Sequence, residues 1–203
     1  MRGVFNIIVR EILLPGGDDA TKKVFEARFG AIPPTLLAIS PGKACNLRCK
    51  GCYADSGPAR EKLEWPIVER IVREARELWG LRFFILTGGE PLAYHDQGRG
   101  VLDLAEQHRD CFFQMYTNGT LIDDAMARRL GAVGNVTPAI SIEGMRAATD
   151  ERRGAGVFDR VVAAMVRLRQ AHVPFGISVT ATRDNTAEIL SDEVMDFFYE
   201  QMG

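Results

Sequence analysis

The residues most able to do chemistry are three cysteines in Lys43-Ala44-Cys45-Asn46-Leu47-Arg48-Cys49-Lys50-Gly51-Cys52-Tyr53. Thiolates spaced by four and three residues can wrap one cubane iron-sulfur cluster but cannot close it. Ferredoxin-type clusters and structural zinc sites both take four protein ligands. Cys111 opens a predicted strand, about 16 Å below the loop face at about 3.3 Å per residue, and is expected to be a buried small hydrophobe. His108 and His172 fall near helix ends at the opposite face. His95 could reach the cysteines, although no partner motif stands near it. The preferred reading is therefore a cluster with one iron open to an exogenous ligand, as open metal sites are the catalytic ones. Structural zinc is the alternative.

The elements that must position these cysteines are repeated β/α units. Short runs rich in Val, Ile, Phe and Thr predict strands at 36–40, 83–87, 112–117, 136–141 and 176–180. Stretches with apolar residues every three or four predict helices at 66–79, 100–109, 123–130, 157–172 and 186–201. Pro66 suits a first helical turn and Asp123 a cap. Parallel strands with outer helices curl toward a partial (β/α) barrel, an α/β fold whose working face lies at the strands' carboxyl ends. The informative residues all follow strands: the cysteine segment after the first, Thr87-Gly88-Gly89-Glu90-Pro91 after the second, Thr117-Asn118-Gly119 after the third and Ser141-Ile142-Glu143-Gly144 after the fourth.

On these residues the sequence resembles the radical S-adenosylmethionine (SAM) superfamily, from about residue 35 to 203. The CxxxCxxC spacing is the family's own, and Tyr53 fills its aromatic place after the third cysteine. The resemblance implies that Cys45, Cys49 and Cys52 hold a [4Fe-4S] cluster and that SAM chelates the fourth iron. Reductive cleavage of SAM would then give a 5'-deoxyadenosyl radical that abstracts hydrogen from a substrate. It also implies SAM contacts at Gly88, Gly89 and Glu90, a glycine-rich run for the amino group. The glycines would let backbone approach the cofactor, and Glu90 would stand beside the methionyl ammonium. Asn118 belongs to the same set. Ser141 and Glu143 are implied at the ribose and methionine parts, with Glu143 where many members carry Asp. Arg153 would pair with the methionine carboxylate. Ile177 and Val179 in Gly176-Ile177-Ser178-Val179 would lie beside adenine, whose amino group would meet the Tyr53 backbone. A one-electron donor such as flavodoxin or ferredoxin is implied as partner. The likeness is greatest to the branch that modifies peptides or builds cofactors, so a peptide or small molecule is the expected substrate. Members usually have six β/α units, and the present sequence ends after a fifth, so the expectation is a fragment of a longer protein.

Composition agrees with a single globular core: 203 residues, 46% hydrophobic, 26% charged and a net charge of -2. With no basic mass, nucleic acid gains no electrostatic support as a partner. No apolar run approaches the roughly 20 residues of a spanning helix, no secretory pattern opens the chain, and the cytoplasm is the expected compartment. Residues 1–34 are expected to be an N-terminal extension, with a helix over 4–14 and another around 24–29, and 35–203 the core. Two further readings remain open. One is an electron carrier or zinc-stapled module, which needs a fourth protein ligand. The other is a barrel that binds SAM or a peptide without turnover.

Overall fold

The computed structural model describes residues 20–58 and 60–202. Strands β1 (Leu37–Ile39), β2 (Phe83–Leu86), β3 (Phe112–Thr117), β4 (Val136–Ile142) and β5 (Gly176–Val179) form one sheet in sequence order. Every neighbouring pair is parallel, with Phe83 beside Phe112, Tyr116 beside Ala139 and Ser141 beside Ser178. The connections run through helices. In chain order these are α1 (Ala20–Phe29), α2 (Trp65–Trp79), α3 (Val101–Gln107), α4 (Asp124–Val133), α5 (Arg146–Arg153), α6 (Val157–Gln170), α7 (Thr186–Ile189) and α8 (Asp192–Met195), followed by a π-helical turn, Asp196–Gln201.

Local chemistry explains the helix limits. Pro66 sits in the first turn of α2, where its missing N–H costs nothing, and Gly80 ends the helix in the left-handed conformation at φ 66°. The Asp123 carboxylate accepts the Met126 N–H at 2.7 Å to cap α4. In α6 the buried residues Val157, Val161, Ala164, Met165 and Leu168 recur every three or four positions and face the sheet.

Strand alternation then divides the sheet into two faces. Phe84, Leu86, Phe113, Met115, Ile140 and Ile142 are fully buried beneath the helices. Thr87, Tyr116, Ser141 and Ser178 project to the concave face, where they line a cavity at the carboxyl ends of the strands. Cys111 is buried at the start of β3, at the sheet end opposite the cysteine segment. All five predicted strands are present within one residue at either end.

The helices depart more. The expected 186–201 helix is broken into α7, α8 and the π turn, because Ser191 stops α7 and caps α8, its hydroxyl accepting from Val194 N. Helix α5 had no counterpart among the expectations, since only Thr149 on it is buried and a polar helix shows no apolar period. The expected helix over 4–14 lies outside the described residues. The expected piece around 24–29 is α1, which lies against α2 and buries no residue of its own. Among the described residues no helix is long and apolar enough to cross a membrane.

One buried histidine links this fold to pH. His108 caps the end of α3, its Nε2 buried without a hydrogen bond and 3.9 Å from a Glu69 carboxylate oxygen. Burial pulls its pKa down, with Glu69 opposing. The unfolded chain takes the proton near the ordinary value of about 6.5, while the folded chain resists it. This contribution to stability is thus complete above about pH 6.5 and falls as pH drops toward the lowered folded value. Urea midpoints between pH 7.5 and 5 are expected to decline, and to decline less in His108→Gln.

Candidate functional site

Backbone hydrogen bonds build the site by zipping the loops after β1 and β2. Thr87 N donates to Ile39 O at 3.0 Å, Gly89 N to Gly42 O at 2.9 Å and Glu90 N to Ala44 O at 2.8 Å. Cys45 N in turn donates to Gly57 O at 2.7 Å, closing the cysteine segment on itself. The space between these loops is too narrow for side chains. A Cβ on Gly88 would meet Ser40 Oγ at 2.3 Å and Gly42 O at 2.8 Å, and one on Gly89 would meet Ala44 O at 2.2 Å. Both glycines do line the cavity. Their missing side chains make room for the cysteine loop.

The cavity holds about 350 Å³ and brings together Cys45, Cys49, Cys52, Tyr53, Gly88, Gly89, Asn118, Ser141 and Arg153. That volume suits a small organic ligand. Burial pushes the Cys45 and Cys49 thiols up, opposed at Cys45 by the Leu47 N–H and at Cys49 by Arg153. At Cys52 burial is outweighed by hydrogen bonds from the Ser56, Ala54 and Asp55 backbone, and the pKa falls. Tyr53, 81% exposed, lays its hydroxyl 2.6 Å from Thr87 Oγ1 and so straps the cysteine segment to the glycine loop. Its side chain, not only its backbone, contributes to the wall.

Four expected residues stand elsewhere. Glu90 is 2% exposed, and its carboxylate accepts from Leu92 N, Thr117 Oγ1 and Asn118 N at 3.1, 2.7 and 2.8 Å. It organises the loop after β3 from within, and it does not line the cavity where a ligand's ammonium would meet it. Burial raises its pKa against the pull of Thr117, Asn118 and Leu92. Glu143 is 1% exposed and turned beneath α5, where Arg152 Nη1 and Arg153 Nη2 reach it at 2.7 and 2.5 Å. It orients two arginines and stands behind the cavity wall. Ile177 and Val179 pack on the helix-side core, because β5 alternates and gives its concave face to Ser178 and Thr180.

The Glu143 knot reaches the cysteines. Arg152 Nε donates to Lys50 O at 3.1 Å and Lys50 N donates to Arg152 O at 2.8 Å, so α5 is stitched to the segment between Cys49 and Cys52. Glu143→Ala leaves two largely buried guanidinium groups without their carboxylate and is expected to cost about 3 kcal/mol. Thermal unfolding and proteolysis within 46–56 would report it; unchanged values would remove Glu143 from this structural role.

Ser56, Thr87, Tyr116, Thr117, Arg152, Ser178 and Thr180 also line the cavity, although none was an expected site residue. Strand parity held the signal for four of them: Thr87, Tyr116 and Ser178 share the concave face with Ser141, and Thr180 follows at the same spacing. His95 lines a separate cavity with Tyr94 and Lys62, away from the cysteines. Among the described residues no three His, Cys, Asp or Glu are arranged to hold a single metal ion.

The cavity fits an anionic, hydrogen-bonding ligand. Two of its wall atoms, Arg153 Nε and Ser56 Oγ, are buried without a hydrogen-bond partner. Two guanidinium groups against one Glu143 carboxylate leave one positive charge in excess beside Cys49.

Comparison with known proteins agrees with this geometry. Residues 39–191 match the profile of the radical SAM superfamily. The AdoMet-dependent heme synthase of Methanosarcina barkeri is 34% identical over 163 residues, 77% of this chain and 45% of that protein. The mycofactocin maturase MftC of Mycobacterium tuberculosis is 33% identical over 163 residues, 79% of this chain and 41% of that protein. A solved structure of native anSMEcpe with bound AdoMet superposes with a TM-score of 0.67 at 25% identity, covering 82% of this chain and 48% of that one. Streptococcus suis SuiB, solved with S-adenosylmethionine, gives 0.72 at 22% identity, covering 88% and 41%, and shares the fold. The chain spans less than half the length of these relatives.

Proposed function

Because the chain belongs to the radical SAM superfamily, a family that uses a [4Fe-4S] cluster and SAM, we propose that it is the catalytic core of a radical SAM enzyme with Cys45, Cys49 and Cys52 as cluster ligands. The observation that carries this is the meeting of all three thiols in one cavity at the carboxyl ends of five parallel strands. Cluster and SAM when bound would supply reductive cleavage to a 5'-deoxyadenosyl radical that takes hydrogen from the substrate.

The chain's own residues would orient and shield. Arg153 Nε and Ser56 Oγ offer unused donors to the SAM carboxylate and ribose, and Ser141 and Ser178 add neighbouring hydroxyls from β4 and β5. Glu143 holds Arg153 in place for that contact, and Tyr53 limits access of water from one side. Residues 35–203 form this core in the proposal and 1–34 an extension. A flavodoxin or ferredoxin would donate the electron, in the cytoplasm where thiols stay reduced.

A peptide is the preferred substrate class. The concave strand faces present Phe83, Ile85, Phe112, Gln114, Tyr116 and Thr137 and no charged side chain among the described residues. A neutral peptide side chain suits that floor better than a tetrapyrrole bearing several carboxylates. The second reading is haem-type synthesis, favoured by the similarity to heme synthase. A zinc-stapled module has no supporting ligand geometry among the described residues.

The test is electron paramagnetic resonance of anaerobically reconstituted, dithionite-reduced protein with and without SAM. A [4Fe-4S] signal that changes when SAM is added is expected. A signal indifferent to SAM would leave an electron carrier, and zinc in place of iron would leave the stapled module.

A further inference from the structure

Asn118 was expected beside SAM, but the structure turns its side chain toward the cysteine segment. It is 7% exposed and lies in the loop after β3, where its own N–H is held by Glu90 Oε2 at 2.8 Å. The orientation of its amide is fixed by its neighbours. Oδ1 accepts from Thr120 N at 2.9 Å and from Thr120 Oγ1 at 2.7 Å, so the oxygen is fully engaged on that side. Nδ2 must therefore face the other way, where it donates to Asn46 Oδ1 at 2.9 Å and approaches Cys45 Sγ at 3.7 Å. Asn46 completes the ring by donating to Thr120 Oγ1 at 2.8 Å. Cys45 Sγ thus receives two donors, this amide and the Leu47 N–H at 3.4 Å. Cys52 differs, taking its donors from the backbone of its own turn.

We propose that Asn118 is a positioning residue that sets the reduction potential of the iron site held by Cys45, through the hydrogen bond its amide gives to the sulfur. This rests on the cluster reading of the three cysteines. The physical basis is simple. Reduction adds one electron to the cluster, and a donor at a ligating sulfur stabilises the more negative form, raising the potential. Asn118 is buried, and an interaction at low dielectric is stronger than the same contact in water. Held at Oδ1 by Thr120 and at Nδ2 by Asn46, the amide cannot swing away as the charge changes.

The experiment is a redox titration of the anaerobically reconstituted chain, followed by paramagnetic resonance, on wild type, Asn118→Leu, Asn118→Asp and Thr120→Val. Asn118→Leu keeps the volume and removes the donor. At a fixed potential its ratio of reduced to oxidised cluster is expected to fall about tenfold, which is 59 mV for one electron. Asn118→Asp replaces the donor with an acceptor and adds charge, so its ratio falls further. Thr120→Val removes one of the two donors that fix Oδ1, loosening the amide, and gives a smaller fall in the same direction.

A merely structural Asn118 would lower cluster content or stability and leave the surviving cluster at the wild-type potential; that result overturns the proposal. So does failure of both Asn118 variants to load a cluster. Failure of the wild type to form a four-iron cluster is a different outcome, because it overturns the cluster reading itself.

Discussion

Cys49→Ala is expected to abolish cluster assembly, reducing iron from about four per reconstituted chain to background and removing every SAM-dependent change in the spectrum. Three protein thiolates already leave a cubane one ligand short. Removing a second corner leaves two, and no described residue stands ready to replace it: His95 lines another cavity and Cys111 is buried at the far end of the sheet. The effect should not come from unfolding, since Cys49 is only half-buried and contributes little to the core. Melting of the metal-free variant is expected within about 1 kcal/mol of the metal-free wild type. Cys111→Ala is the converse. Its sulfur is fully buried among the core residues, so the substitution should cost about 1–2 kcal/mol while cluster loading stays intact. Iron content and paramagnetic resonance on the two variants separate the roles. A Cys49 variant that still loads a four-iron cluster, or a Cys111 variant that does not, would mean that the ligands are misassigned.

The strands were legible because they are buried on the helix side and rich in Phe, Ile and Val. Their carboxyl ends located the cavity before any side chain was placed. Residue type alone could not show which way a side chain at that face turns. Glu90 and Glu143 stand in the expected loops, yet both are drawn inward by partners from other elements: Thr117 and Asn118 for one, Arg152 and Arg153 for the other. Those partners lie 27 and 28 residues from Glu90 in sequence. Only the fold brings them together. Ile177 and Val179 are a different case, since alternation along β5 with Ser178 already assigns those side chains to the core face. Helix α5 was invisible for a third reason: its residues are held by the ion pairs of Arg152 and Arg153 and by contact with α6, neither of which leaves an apolar period.

Gly89→Ala is expected to be the most damaging change that touches no cysteine. The added methyl would lie 2.2 Å from Ala44 O and 2.6 Å from Lys43 O, both backbone atoms that no rotamer change can move. Relief requires the loops after β1 and β2 to part, which breaks the hydrogen bonds from Glu90 N to Ala44 O and from Gly89 N to Gly42 O. Cys45 follows Ala44 directly, so the displacement passes into the first ligand. A cost of about 3 kcal/mol is expected, at the upper end for overpacking, with a steep loss of cluster loading. Gly51→Ala is the control. It also lies in the cysteine segment and has φ 63°, but a Cβ there meets nothing within 4 Å. Its cost should be confined to the left-handed backbone, about 1–2 kcal/mol, with the cluster retained. Thermal unfolding and iron content on both variants decide the matter. If Gly89→Ala melts and loads like Gly51→Ala, the contact between the two loops does not hold Cys45 in place, and the glycine run must act on the bound ligand instead.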